Sequence, residues 1–309
     1  MINILSLLAF LLPVVLSGSP QPGFEIDRIG VRPDVVYGHK FGLALTLDVY
    51  QPPRAGGGAV IFVNSGGYES GQLRQWESRE DKAVFIPPNR LRVKGGPVAI
   101  PLLEQFSFVE MLAAGLTVFD LHHGSSPKFT LDEIAADVRL GVAYIKAHAR
   151  EFGVDADRLA LFGASSGGHL AVYQAVTWEE GDPSSTNPSA KAGTRVRAVG
   201  TYYPAGFDFS GTLERYPFLR DALPAVRLDK KILDTFSIQG HISPDDPPLF
   251  VIYGEEDFPF IIETCSALKA AYEAAHLEIK VIAIPGTGHE FRGTDGYRSE
   301  HGLRARKEM

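Results

Sequence analysis

The pentapeptide Gly163-Ala164-Ser165-Ser166-Gly167 lies directly after an apolar run, Leu159–Gly163 (LALFG), and directly before a segment of helical character. A sharp turn from a strand into a helix strains the central residue and lifts its side chain above the sheet. Glycines two before and two after relieve the crowding. Only Ser165 has glycine at both positions, so Ser165 is the expected nucleophile. The helix that starts there aims its N-terminal amides at developing negative charge, with the Ser166 amide among them. A serine needs a base at neutral pH, and imidazole suits because it titrates close to working conditions. Downstream stand His169, His241, His276, His289 and His301. His289 follows a strand-like run in a glycine-rich loop (PGTGHEF), which can set a ring over the strand ends. His169 reads as a packed helix residue and His276 as a helix-end residue.

These groups need a scaffold. Val35–Tyr37 and Leu43–Tyr50 around a turn at 38–42 predict an antiparallel hairpin, and strand-sized apolar runs recur at Ala59–Asn64, Thr117–Leu121, Leu159–Gly163, Val196–Tyr203, Leu249–Tyr253 and Ile279–Ile284. A helix is predicted from Thr130, where Thr130 and Glu133 have capping-box spacing, with Ile134, Val138, Val142, Ile145 and Phe152 on one stripe before Gly153. A second helix is expected after Gly168 and a third over about Ile261 to His276. Nearly all-apolar strands alternating with helices predict an α/β fold, a mostly parallel sheet covered on both faces with an antiparallel N-terminal edge. Residues 69–101 and 205–248 break the alternation and read as loop insertions forming a partial lid.

Gly163–Ala171 (GASSGGHLA) resembles the elbow of bacterial α/β-hydrolase carboxylesterases, the group around hormone-sensitive-lipase-like esterases and bifunctional acetyl-xylan and feruloyl esterases. Leu47–Pro53 (LDVYQPP), Ser243–Tyr253 (SPDDPPLFVIY) and Gly286–His289 (GTGH) resemble other motifs of that group, in the same order, over roughly residues 35–290. The resemblance implies an α/β-hydrolase domain. It makes Asp257, in Gly254-Glu255-Glu256-Asp257, the acid that orients His289, with Glu255 and Glu256 on the same loop. It implies that Gly66 and Gly67 donate amides to an oxyanion beside Ser166. In Asn64-Ser65-Gly66-Gly67-Tyr68, Asn64 and Ser65 replace the histidine and first glycine of the family's H-G-G-G loop.

Tyr68, His122 and His123 are candidate substrate contacts, with core packing or loop bracing as the alternative. The two histidines lack metal-ligand spacing, and the sequence holds no zinc, dinucleotide or P-loop motif, so no metal and no cofactor are expected. Thirty Lys and Arg against 37 Asp and Glu, a net charge of −7, disfavour nucleic acid as a partner. The single cysteine, Cys265, excludes an internal disulfide and reads as a small buried hydrophobe. Ile4–Leu16 followed by small residues resembles a secretory signal over residues 1–18 and is too short for a comfortable membrane span. The expectation is an exported chain with one domain over 23–309. It is read as a serine carboxylic-ester hydrolase, acting by an acyl-enzyme on acetyl or other short esters, including those of carbohydrates. A prolyl-oligopeptidase-type peptidase and a catalytically idle binding protein are the alternatives.

Overall fold

The computed structural model describes residues 28–70, 76–79, 82–85 and 107–291. The leader expectation for residues 1–18, most of the 69–101 insertion and the tail beyond Phe291 lie outside the described residues. The chain opens with strands β1 (Gly30–Lys40), β2 (Leu43–Gln51) and β3 (Ala59–Val63). A small separate hairpin follows, β4 (Trp76–Arg79) with β5 (Lys82–Phe85). Next come helix α1 (Phe108–Ala113), β6 (Thr117–Leu121), α2 (Leu131–Ala147), β7 (Leu159–Ala164) and α3 (Ser165–Val176). The last third holds α4 (Pro188–Ala192), β8 (Ala198–Tyr202), α5 (Phe209–Arg215), α6 (Leu219–Ala222) and α7 (Lys230–Asp234). It ends with β9 (Leu249–Gly254), α8 (Pro259–Ala274) and β10 (Ile279–Ile284).

Eight strands form one sheet in the order β1-β2-β6-β3-β7-β8-β9-β10. The β1–β2 and β2–β6 pairs are antiparallel and the rest are parallel, so the antiparallel edge is N-terminal, as expected. The central strands β3, β6 and β7 are buried along their whole length. That is why they read as unbroken apolar runs rather than alternating ones. Helix α2 starts where the capping box placed it, with Glu133 reaching back to accept the Thr130 amide at 3.0 Å. Its stripe of Ile134, Val138, Val142 and Ile145 is buried, a short 3-10 turn carries Phe152 into the core, and Gly153 stops the chain at φ 69.

Two expectations change. The helix after the elbow begins at Ser165 rather than after Gly168, because the three glycines around it meet backbone or Thr201 and are chosen for close approach, not for ending a turn. The 205–248 segment is not a bare loop. It carries α5, α6 and α7 and docks through buried Phe209, Leu213, Leu219, Leu233 and Ile238. Its helices are short and each opens on its own cap, Asp208 or Asp229 in two cases, so no long apolar period announces them.

Candidate active site

Parallel strands all end on the same rim, and the residues that follow β3, β6, β7, β9 and β10 meet there. At the end of β7 the chain turns so sharply that Ser165 sits at φ 51, a left-handed backbone that costs a side chain energy. The flanking glycines show why the turn is possible. A Cβ on Gly163 would lie 2.2 Å from the Gly167 carbonyl oxygen, and one on Gly167 would lie 2.4 Å from that of Val63.

From β10 the Gly286–Gly288 turn delivers His289, whose Nε2 is 3.2 Å from Ser165 Oγ. Its Nδ1 donates to Asp257 Oδ1 at 2.8 Å, which fixes the tautomer so that Nε2 accepts the serine proton. The Asp257 carboxylate is fully buried, while the His289 ring keeps 23% of its surface exposed. Asp257 Oδ1 also accepts the Phe258 amide at 2.6 Å. Glu255 and Glu256 point to solvent, which separates the three acids of that loop. The acid and histidine loops are laced together by Glu255 N–H to Ile284 O at 3.1 Å and Glu256 N–H to Thr287 O at 2.8 Å. Gly254 permits the approach, since a Cβ there would meet Thr287 O at 2.2 Å. Buried Tyr203 packs 4.5 Å from the His289 ring and half-exposed Phe258 packs 5.1 Å from it, centroid to centroid.

The loop after β3 is left-handed through Gly67 and Tyr68. It is bolted to the first turns of α3. Ser166 Oγ accepts the Tyr68 amide at 3.0 Å and the Gly66 amide at 3.3 Å. Three residues on, on the same helix face, His169 donates from Nε2 to Phe236 O at 2.9 Å. Its Nδ1 is thereby an acceptor, and the Tyr68 hydroxyl donates to it at 3.2 Å. Complete burial lowers the His169 pKa to about 4, so the ring is neutral and keeps both bonds. Burial likewise raises the Tyr68 phenol far above its ordinary range.

This geometry corrects two expectations. Gly66 turns its amide to the Ser166 hydroxyl and not to a reacting oxygen. The amides of Gly67 and Ser166 have no acceptor among the described residues. Tyr68, expected as a substrate contact, is 1% exposed with its hydroxyl held by His169, so it braces the loop from inside.

The two histidines after β6 are also braces. His123 is buried, with ring nitrogens 2.8 Å from Gly124 O and 3.2 Å from Asn64 O, and burial lowers its pKa. His122 sets Nε2 3.2 Å from Asp120 Oδ2, and Asp120 Oδ1 accepts from the Asn64 amide group. Asn64 thus holds the loop in the place that the family pattern gives to a histidine. The β2–β6 register sets Asp48 opposite Asp120, so Asp48, Asp120 and His122 cluster in the interior with polar atoms within 4.8 Å of one another. Their ligand types would suit a cation. Here Asp34 N–H donates to Asp48, and Asn64 and His122 engage Asp120. Strand-pairing register, which sequence spacing does not reveal, brings this trio together. The bolt at Ser166 and His169 had a readable trace, two polar residues three apart on the helix behind the elbow.

Ser165, His289 and Asp257 therefore form a continuous proton path beside two uncommitted amides. That constellation is suited to nucleophilic attack on a carbonyl with collapse through a tetrahedral oxyanion.

Known proteins share this arrangement of elements. A truncated carbohydrate esterase from gut microbiota superposes with a TM-score of 0.63 at 19% identity, over 93% of this chain and 97% of that one. Esterase B from Lactobacillus rhamnosis superposes with a TM-score of 0.65 at 17% identity, over 97% of this chain and 94% of its own. The fold is that of the α/β-hydrolases. In sequence, the Mycobacterium tuberculosis protein named "Probable carboxylic ester hydrolase LipM" is 26% identical over 280 residues, covering 87% of this chain and 58% of LipM. The chain spans about half to three-fifths of the length of the curated relatives it matches. The BD-FAE family model matches residues 103–272, from just before α1 to within α8 and through the elbow and the acid loop, and the chain belongs to the BD-FAE family.

Proposed function

We propose that the chain is a serine carboxylic-ester hydrolase that works through an acyl-enzyme, on acetyl and other short acyl esters, including those of carbohydrates. The observation that carries this reading is the Ser165–His289–Asp257 relay, with contacts of 3.2 and 2.8 Å. His289 Nε2 takes the Ser165 proton as Oγ attacks the ester carbonyl. The Gly67 and Ser166 amides receive the oxyanion, and His289 returns the proton to the departing alcohol. Water then enters by the same exchange and releases the acid, while buried Asp257 holds the ring throughout. The esterase names of the relatives and the carbohydrate esterase among the structural neighbours support the ester class and the carbohydrate alcohol.

A panel of aryl esters of graded acyl length, with acetylated sugars and methyl ferulate alongside and Ser165→Ala as the blank, tests the reading. Turnover is expected to be highest at short acyl length and absent in Ser165→Ala. Turnover that persists in Ser165→Ala, or that rises with long acyl chains, would contradict it. Export, supported by the apolar run Ile4–Leu16, forms part of the proposal. N-terminal sequencing of the protein recovered from culture medium or envelope fractions tests that part, with cleavage expected near Ser17 or Gly18 and an intact Met1 contradicting it.

A further inference from the structure

Four rings lead away from the imidazole, each packed on the next. Between centroids, His289 to Phe258 is 5.1 Å, Phe258 to Phe260 is 5.4 Å, Phe260 to Tyr216 is 5.8 Å and Tyr216 to Phe218 is 6.5 Å. The two outermost phenylalanines in solvent terms, Phe258 and Phe218, are 51% and 58% exposed. Phe260 and Tyr216 between them are partly buried against the core, so the exposed phenylalanines at either end are backed by packed rings, and apolar surface of this kind beside a reacting group is a place where a ligand can dock.

The line is assembled from two distant parts of the chain. Phe258 and Phe260 flank the start of α8, and Tyr216 and Phe218 follow α5 in the 205–248 segment. Glu263 of α8 ties the halves together. It accepts from the Tyr216 hydroxyl at 2.6 Å and from Arg215 Nε at 3.1 Å. The aromatic ledge is thus held at a set spacing, with a polar rim beside it.

Its starting point gives its direction. In the ester-hydrolase reading, on which this step rests, the imidazole hands its proton to the departing alcohol. The alcohol therefore lies against His289, while the acyl carbonyl faces the Gly67 and Ser166 amides. We infer that the ledge from Phe258 to Phe218 is the subsite for the leaving alcohol and that it takes alcohols presenting a flat carbon face. Aromatic faces stack on such a surface, whether it is an aryl ring or the C–H face of a sugar ring, and gain little from a short flexible alkyl chain.

Two pairs of acetates test this on the full chain, each ratio being divided by the ratio of the same two esters in hydroxide-catalysed hydrolysis so that intrinsic reactivity is removed. One pair is phenylpropyl against propyl acetate, and the other is an acetylated methyl glycoside against butanediol monoacetate. The expected ratio of kcat/KM within at least one pair is about tenfold in favour of the ring-bearing alcohol. Which pair shows it identifies aryl or sugar. Phe258→Ala and Phe218→Ala are each expected to lower that ratio, Phe258→Ala to near one. Because the readout is a ratio within one protein, damage to the relay by either variant cancels. Ratios near one for both pairs in the unmodified protein, or ratios unchanged in both variants, would overturn the inference while leaving Ser165-dependent hydrolysis intact. Absence of Ser165-dependent turnover of all four esters would overturn the hydrolase reading and the ledge with it.

Discussion

The Ser166 hydroxyl accepts the Tyr68 backbone amide at 3.0 Å, so the residue after the elbow serine holds the loop that carries the Gly67 amide. The same hydroxyl takes Gly66 N–H, and His169 one helical turn on takes the Tyr68 phenol. One face of α3 therefore grips Tyr68 at both its backbone and its side-chain tip. That grip stabilises a left-handed residue at φ 71 which would otherwise relax.

Ser166→Ala removes one acceptor shared by two amides in a buried setting, at a cost of about 1–3 kcal/mol per stranded group. The loop keeps its anchors at Asn64 and at the Tyr68 phenol but loses the one that sets the Gly66 and Tyr68 amides, so the oxyanion amides lose their set position. Steady-state kinetics on a short acyl ester should show kcat lowered about tenfold with KM changed less than about twofold. A raised KM at full kcat would mean that the loop serves ground-state binding instead.

Gly163→Ala places a methyl group 2.2 Å from the Gly167 carbonyl oxygen, where only backbone can give way. Movement there pulls β7 from α3 and destabilises the fold by roughly 3 kcal/mol or more. Denaturant unfolding reads this directly. A variant as stable as the parent would show that the turn is looser than its contacts indicate.

Asp257→Asn keeps the size of the buried side chain but loses the charge that fixes the His289 tautomer and stabilises its protonated form. A fall in kcat on the order of four powers of ten is expected, with KM largely kept. A loss below about tenfold would assign the orienting role to another group.

His169 supplies a pH dependence of stability. Burial holds its imidazole at about 4 against an ordinary 6.5, so the unfolded chain binds a proton there before the folded chain does. The contribution is complete above pH 6.5, falls as pH drops through the window from 6.5 to 4, and is gone below it. Its size is about 3 kcal/mol. His169→Gln offers an oxygen to Tyr68 and an N–H to Phe236 without titrating. The difference in unfolding free energy between parent and variant should therefore shift by that amount between pH 7 and pH 4. Parallel curves for the two proteins would contradict the assignment.

The readable parts of this molecule were those set by local chemistry. The capping box at Thr130 and Glu133, the apolar runs of β3, β6 and β7, and the glycines around Ser165 each state a local requirement that nearby residues meet. Ser165 and His289 can be placed from the sequence because each follows a strand and parallel strands end on one rim, whereas Asp257 is singled out among the three acids of its loop by the family resemblance. The true partners of Gly66, Tyr68 and His122 cannot be placed in this way, since their bonds join segments about 76 to 101 residues apart and depend on register and side-chain reach. Tyr68 looked like a pocket aromatic because its letter and its loop fit one, yet its backbone turns the ring inward onto His169. The 205–248 helices leave no period in the sequence because they are only four to seven residues long, shorter than the span over which a helical period becomes visible.

The central claim is that Ser165 carries the acyl group in turn. Mixing the protein with a short-chain aryl ester, quenching in acid within the first turnover and mapping the modified peptide by mass spectrometry tests it most directly. The account predicts a mass gain equal to the acyl group on Ser165, lost in Ser165→Ala and accumulated no further once the steady state is reached. Ester turnover with no acyl adduct, or with the adduct on Ser166 or another residue, would contradict it.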